Sequence, residues 1–259
     1  MVKLIASDLD GTLLIGGEHV LDPEIYDLVT ALQEKGITFI SASGRQIASQ
    51  RNLFAPIADQ ISYIAENGAI YLHKGETKVV TEIPRELSMR ILDEVQKHPD
   101  CDIVVSGVTS CYILPQSEAF AYHIQHELNN KTTFVNSFSE ISEPIVKIAA
   151  QNHNDCEGSA AYFHDLFSSE IHVITAGNDW VDFLPFDCNK GVALKQICDV
   201  LNIDVADVMA FGDQQNDLDM LRLAGISYAV ATASDEVKAS ATHVTESVKG
   251  VLKQLLETL

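Results

Sequence analysis

Short apolar runs and amphipathic stretches alternate along the first eighty residues. Residues 2–6 form an apolar run, broken only by Lys3, that ends in Asp8, Asp10, Gly11 and Thr12. A run of this length bounded by Gly predicts a buried strand of a parallel sheet. Asp22-Pro23 opens an amphipathic helix carrying Ile25, Leu28, Val29 and Leu32, which Gly36 closes. A second apolar strand starts at Thr38 and ends at Ser43-Gly44-Arg45, a helix follows Arg45, and residues 61–65 predict a third strand. Residues 69–72 and 78–80 predict a hairpin around Lys74-Gly75. Such alternation implies right-handed βαβ units and a parallel sheet, with ligands bound outside the carboxyl ends of its strands.

The pattern changes near Thr81. A helix is expected over 84–97, strands at 103–105 and 111–114, a helix over 118–128, a strand at 145–150 and a helix at 155–167. Two further strands, 171–175 and 179–184, flank Gly177-Asn178. Paired strands among helices predict an α+β module with a mainly antiparallel sheet. The alternating pattern resumes at Asn189. The expectation is therefore an α/β core built from residues 1–81 and 187–259, with residues 82–186 inserted between its halves.

Four strand or helix ends of the core carry chemistry. Asp8 and Asp10 share a strand face, roughly 6–7 Å apart, so they repel unless a cation or a proton lies between them. Hard oxygen ligands with no Cys or His beside them favour Mg²⁺. Ser43 and the N–H of Gly44 stand at a strand-to-helix turn that can hold a phosphate oxygen. Asn189 suits a helix N-cap, and Lys190 would place a cation near that phosphate. A fourth apolar run, 208–212, ends in Asp213, placed to complete a metal site, with Asn216 and Asp217 following at a helix start.

Together Asp8-x-Asp10-Gly-Thr, Ser43-Gly-Arg, Asn189-Lys190-Gly and Gly-Asp213-x-x-Asn216-Asp217 resemble the four motifs of the haloacid dehalogenase-like phosphatases. Glu66-Asn67-Gly68-Ala69 and the long insertion after it resemble the Cof-type subgroup. The resemblance implies a Rossmann-like core, a mobile α+β cap of the IIB type, and Mg²⁺-dependent hydrolysis of a small phosphate monoester, a sugar phosphate foremost. It assigns the nucleophile to Asp8 and the acid–base role to Asp10, an order that the residues alone leave open. It implies Mg²⁺ held by Asp8, the backbone carbonyl of Asp10 and Asp213. The phosphoryl oxygens would be held by Ser43, Lys190, Asn216 and the N–H groups of Leu9 and Gly44. Asp217 would support Asp213 or Lys190, Arg45 would bind a substrate anion or brace the core, and Asn67 would stand behind the site or touch substrate. Two positions depart from the family. Ser43 stands where many members carry Thr, and residues 230–234, Val-Ala-Thr-Ala-Ser, replace a Met-Gly-Asn-Ala-like turn.

Bulk properties narrow the setting. Net charge is −20, from 17 basic and 37 acidic residues, which disfavours nucleic acid as a partner. A phosphorylated substrate is still compatible, because local cations dominate within about 8–10 Å. No apolar stretch reaches membrane-spanning length and the chain starts on a core strand, so neither a membrane span nor a signal peptide is expected. Five scattered cysteines (101, 111, 156, 188, 198) without a Cys-x-x-Cys fit a reducing, cytoplasmic setting. The oligomeric state is not readable. His123 and His126 are expected to be surface or packing residues, Trp180 and Phe183 to pack a core, and Asp199, Asp204 and Asp207 to form a solvated rim. A phosphosugar mutase and a non-catalytic sensor of Mg²⁺ and a phosphometabolite remain as alternatives.

Overall fold

A computed structural model describes residues 1–16, 20–114, 117–177 and 179–259. Two compact units are present. One combines Met1–Val80 with Asn189–Leu259, and the other is Thr81–Cys188. In chain order the strands are β1 (Leu4–Ser7), β2 (Thr38–Ala42), β3 (Ser62–Ala65), β4 (Ile70–His73), β5 (Glu76–Val79), β6 (Asp102–Gly107), β7 (Cys111–Ile113), β8 (Thr132–Phe134), β9 (Ile145–Gln151), β10 (His172–Ala176), β11 (Trp180–Leu184), β12 (Val208–Gly212), β13 (Ile226–Val230) and β14 (His243–Thr245).

The first unit holds a sheet of order β14-β13-β12-β1-β2-β3-β4-β5. It is parallel from β14 to β3, and the hairpin β4–β5 adds two antiparallel edge strands. Every residue of β1 is buried, as a central strand covered on both faces requires. The chain moves from β1 to β2 on one side, whereas β12 lies on the other. That reversal opens a crevice at the carboxyl end of β1, where doubly wound sheets bind ligands. The helix Pro23–Glu34 buries Ile25, Leu28, Val29 and Leu32 against the sheet and is capped by Asp22. The helix Lys190–Leu201 buries Ala193, Leu194 and Ile197 and ends at Asn202, which takes a left-handed conformation.

The second unit has a sheet of order β10-β11-β9-β6-β7-β8. All its pairings are antiparallel except β7 with β8. Its core gathers Ile91, Val95, Ile148, Phe163, Phe167, Val181 and Phe183. Phe183 is thus a core residue, and half-buried Trp180 leans on Phe120 at 6.3 Å.

Sequence periodicity misses two features here. Strand β8 is three residues long with two of them exposed, too short for an alternation to register. The helix expected over 118–128 is α-helical only for Glu118–Tyr122 and widens into a π-type turn at His123–Glu127. His123 contacts Glu127 at 2.6 Å and His126 packs on the Tyr122 ring. Of the bend expected at Gly177-Asn178, Asn178 lies outside the described residues. The acidic rim is more engaged than solvation implies. Asp207 pairs with Lys3 and the terminal amine, Asp199 with Lys195, and Asp204 accepts from the Ala206 N–H. The five cysteines are free thiols. Among the described residues no helix is long and apolar enough to cross a membrane.

Candidate active site

The carboxyl ends of β1 and β12 converge on a buried charge cluster. The Asp8 N–H still donates to the Phe211 carbonyl at 3.0 Å, so the Asp8 side chain leaves the sheet at its last hydrogen-bonded step. The Leu9 carbonyl then accepts the N–H groups of Thr12, Leu13 and Leu14, folding residues 9–14 into a tight loop. Within it Gly11 has φ +88°, and a Cβ there would lie 2.1 Å from Asp213 Oδ2. Only glycine lets the loop approach Asp213 so closely.

Lys190, fully buried, donates from Nζ to Asp8 Oδ1 at 2.6 Å and to Asp217 Oδ1 at 2.7 Å. A buried ammonium persists only when paired in this way. Its helix is started by Asn189, whose Oδ1 accepts the Val192 N–H at 2.8 Å. The other oxygen of Asp217 accepts the N–H groups of Asp213 and Gln214 at 2.9 and 3.0 Å. Asp217 therefore spends both oxygens within the protein. Asp213 accepts from Thr12 Oγ1 at 2.9 Å and from Gln214 Nε2 at 3.1 Å.

Each of Asp8, Asp213 and Asp217 offers a carboxylate oxygen within 4.8 Å of the others. Three buried carboxylates thus face one ammonium. Burial pushes Asp8 well above the usual carboxylate range; Lys190 opposes that shift, and Asp217 and Asp213 add to it. Asp213 is also raised, first by burial, with its hydrogen bond from Thr12 opposing the shift and Asp217 adding to it. Burial works against the Lys190 ammonium, but Asp217 and Asp8 outweigh it and hold its pKa above the ordinary lysine value. The cluster is short of positive charge, and its donors are hard oxygens, as a divalent cation such as Mg²⁺ requires.

Asp10 is placed differently. Its exposed carboxylate turns to Arg45, accepting from Nε at 2.8 Å and from Nη2 at 2.5 Å. On the β2 side, buried Ser43 accepts the Arg45 N–H at 3.2 Å. The Asn67 N–H donates to the Ser43 carbonyl, and Asn67 Oδ1 accepts from Asn216 Nδ2 at 2.9 Å. A Cβ on Gly44 would lie 2.9 Å from that same Asn67 oxygen. Ser43, Gly44, Asn67 and Asn216 thus form one rim of the crevice, and Asp8, Lys190, Asp213 and Asp217 its floor.

Sequence reasoning gave no role to Thr12 or Gln50. Gln50 is wholly buried, accepts from Ser41 Oγ, and donates to the carbonyls of Arg45 and Ile64 at 3.1 and 2.9 Å. A glutamine on the inward side of a short helix after Arg45 was the available signal.

The site is thus a set of buried carboxylates and a paired lysine at the switch point of a doubly wound α/β sheet. The model of the haloacid dehalogenase-like hydrolases matches residues 5–255. The 5-amino-6-(5-phospho-D-ribitylamino)uracil phosphatase YbjI of Escherichia coli is 25% identical over 243 residues, covering 93% of this chain and 90% of that protein. The HMP-PP phosphatase of Serratia proteamaculans is 26% identical over 251 residues, covering 92% and 87%. A solved structure from Eubacterium rectale superposes with a TM-score of 0.88 at 30% identity, covering 98% of this chain and 99% of that one. The chain belongs to the haloacid dehalogenase-like hydrolase family, in its Cof-type phosphatase branch.

Proposed function

We propose that this enzyme hydrolyses a small phosphate monoester, a sugar phosphate foremost, with Mg²⁺ and through an aspartyl-phosphate. The observation that carries the reading is the buried cluster of Asp8, Asp213 and Asp217, with Lys190 paired to Asp8 and Asp217. The named relatives act on small phosphorylated metabolites, which supports the substrate class. Asp8, Asp213 and the backbone carbonyl of Asp10 would hold the ion, which neutralises nucleophile and phosphate together when bound. Asp217, with both oxygens engaged, serves by fixing Lys190 and the Asp213 backbone.

In the first step an Asp8 oxygen bonds to phosphorus, the ester P–O bond breaks, and the departing alkoxide takes a proton from Asp10. In the second, Asp10 removes a proton from water, the oxygen of which attacks phosphorus, releasing inorganic phosphate and the Asp8 carboxylate. Lys190, the Ser43 hydroxyl, the N–H groups of Leu9 and Gly44, and the Asn216 amide hold the equatorial oxygens, where charge gathers in the transition state. Thr81–Cys188 would serve as the cap that selects the leaving group. Phosphate release from a panel of sugar phosphates, nucleotides, flavin mononucleotide and pyridoxal phosphate, with Mg²⁺ or chelator, tests the reading. Release that needs Mg²⁺ and vanishes in Asp8→Asn is expected. Release that persists in that variant would refute the covalent scheme.

A further inference from the structure

Arg45 touches the site through three of its parts. Its backbone N–H donates to Ser43 Oγ, which leaves the hydroxyl proton available to a phosphoryl oxygen. Its carbonyl accepts from buried Gln50 Nε2 at 3.1 Å and from the Glu66 N–H at 3.2 Å. Its guanidinium grips both oxygens of Asp10. An exposed carboxylate on a loop samples several rotamers. A two-point fork removes that freedom, because guanidinium and carboxylate match in plane and spacing. The fork is itself fixed at its base, since Gln50 also bonds the Ile64 carbonyl and Ser41 and cannot drift.

We propose that Arg45 is the positioning residue for Asp10, setting the direction from which the proton reaches the leaving group. The fork holds the ionised carboxylate; when one oxygen takes up the proton, that oxygen leaves its guanidinium donor while the other stays bonded, and this sets the direction. This rests on the acid–base role proposed for Asp10. The same residue also orients the Ser43 hydroxyl, so acid and phosphate cradle are referenced to one anchored backbone. Bulk ion-pair strength is not the point, because a pair this exposed contributes little to stability; its content is geometric.

The test compares wild type, Arg45→Lys and Arg45→Ala in the full-length enzyme. The substrates are the best alkyl monoester from the panel and p-nitrophenyl phosphate, a leaving group that needs no proton. Misdirected acid catalysis should lower kcat for the alkyl ester by roughly 10²-fold in Arg45→Ala. The aryl ester should lose only a few-fold and KM should barely change, with Arg45→Lys between, since its point charge cannot fork. A rise in KM on both esters with kcat intact would overturn the proposal and make Arg45 a substrate-anion ligand. Equal loss of kcat on both, with a lower melting temperature, would overturn it in favour of a structural brace. Wild-type enzyme that releases phosphate from neither ester would instead refute the phosphatase reading beneath it.

Discussion

At the residue scale, the decisive fact is that Asp8 and Asp217 share one buried ammonium while Asp213 stands beside them without it. Removing that ammonium, as in Lys190→Met, leaves carboxylates unpaired and should cost about 3–5 kcal/mol in urea unfolding without metal. The opposite change should stabilise. Asp213 has its pKa raised by burial in the folded protein, so folding favours its protonated form. Its stabilising contribution is complete below the ordinary carboxylate pKa and is lost as pH rises through the raised value. In chelator, Asp213→Asn should therefore melt higher than wild type at neutral pH, and the gap should close as pH falls towards 4. Melting curves across that range decide it; a gap independent of pH would exclude the charge account. Gly11→Ala is a third test at this scale. Its Cβ would strike Asp213 Oδ2, and displacement of about 1 Å is enough for a loss of roughly 10²-fold in turnover, measured beside an intact circular-dichroism spectrum.

At the scale of elements, the site is the sum of strand ends, and those ends were legible. Apolar runs closing in Asp, Ser-Gly or Gly-Asp are local patterns, and the parallel sheet brings them to one edge. Asp213 lies near Asp8 because β12 pairs with β1, and Lys190 reaches Asp8 from the first position of its helix. What no local pattern carries is the pairing of side chains once the ends meet. The Arg45 fork on Asp10 spans 35 positions and the Asn67–Asn216 bond spans 149. Asp217 is held beside the other carboxylates by the N–H groups of Asp213 and Gln214 and by Lys190. Gln50 is a similar case: three hydrogen bonds tie β2, the Arg45 turn and β3 together. Gln50→Leu keeps the apolar packing but strands the buried Ser41 hydroxyl, worth about 1–3 kcal/mol when unpaired, while the Arg45 and Ile64 carbonyls keep the N–H groups of Glu66 and Ser43. Its unfolding free energy in urea should fall by an amount within that range, and a neutral result would mean that water replaces the amide.

At the scale of the whole molecule, net charge and the proposed metal would be felt in different parts of the chain. The net charge of −20 repels a phosphate ester from afar, but screening confines that repulsion to about 8–10 Å. In the crevice, where Lys190 and Arg45 are already paired with carboxylates, the proposed cation would offset it. All proposed ligands of that cation lie in the unit formed by Met1–Val80 and Asn189–Leu259, while Thr81–Cys188 has a separate apolar core. A ligand that binds only folded protein stabilises whatever unfolds with its site, by about 2.7 kcal/mol at a hundred times its Kd. Adding Mg²⁺ should therefore slow amide hydrogen exchange in β1 and β12, where the carboxylates are anchored. Amides of β9 and β11 should keep their rates if the inserted unit opens on its own. Equal protection in both sheets would show that the two units unfold together, and no protection in β1 would remove the cation from Asp8 and Asp213.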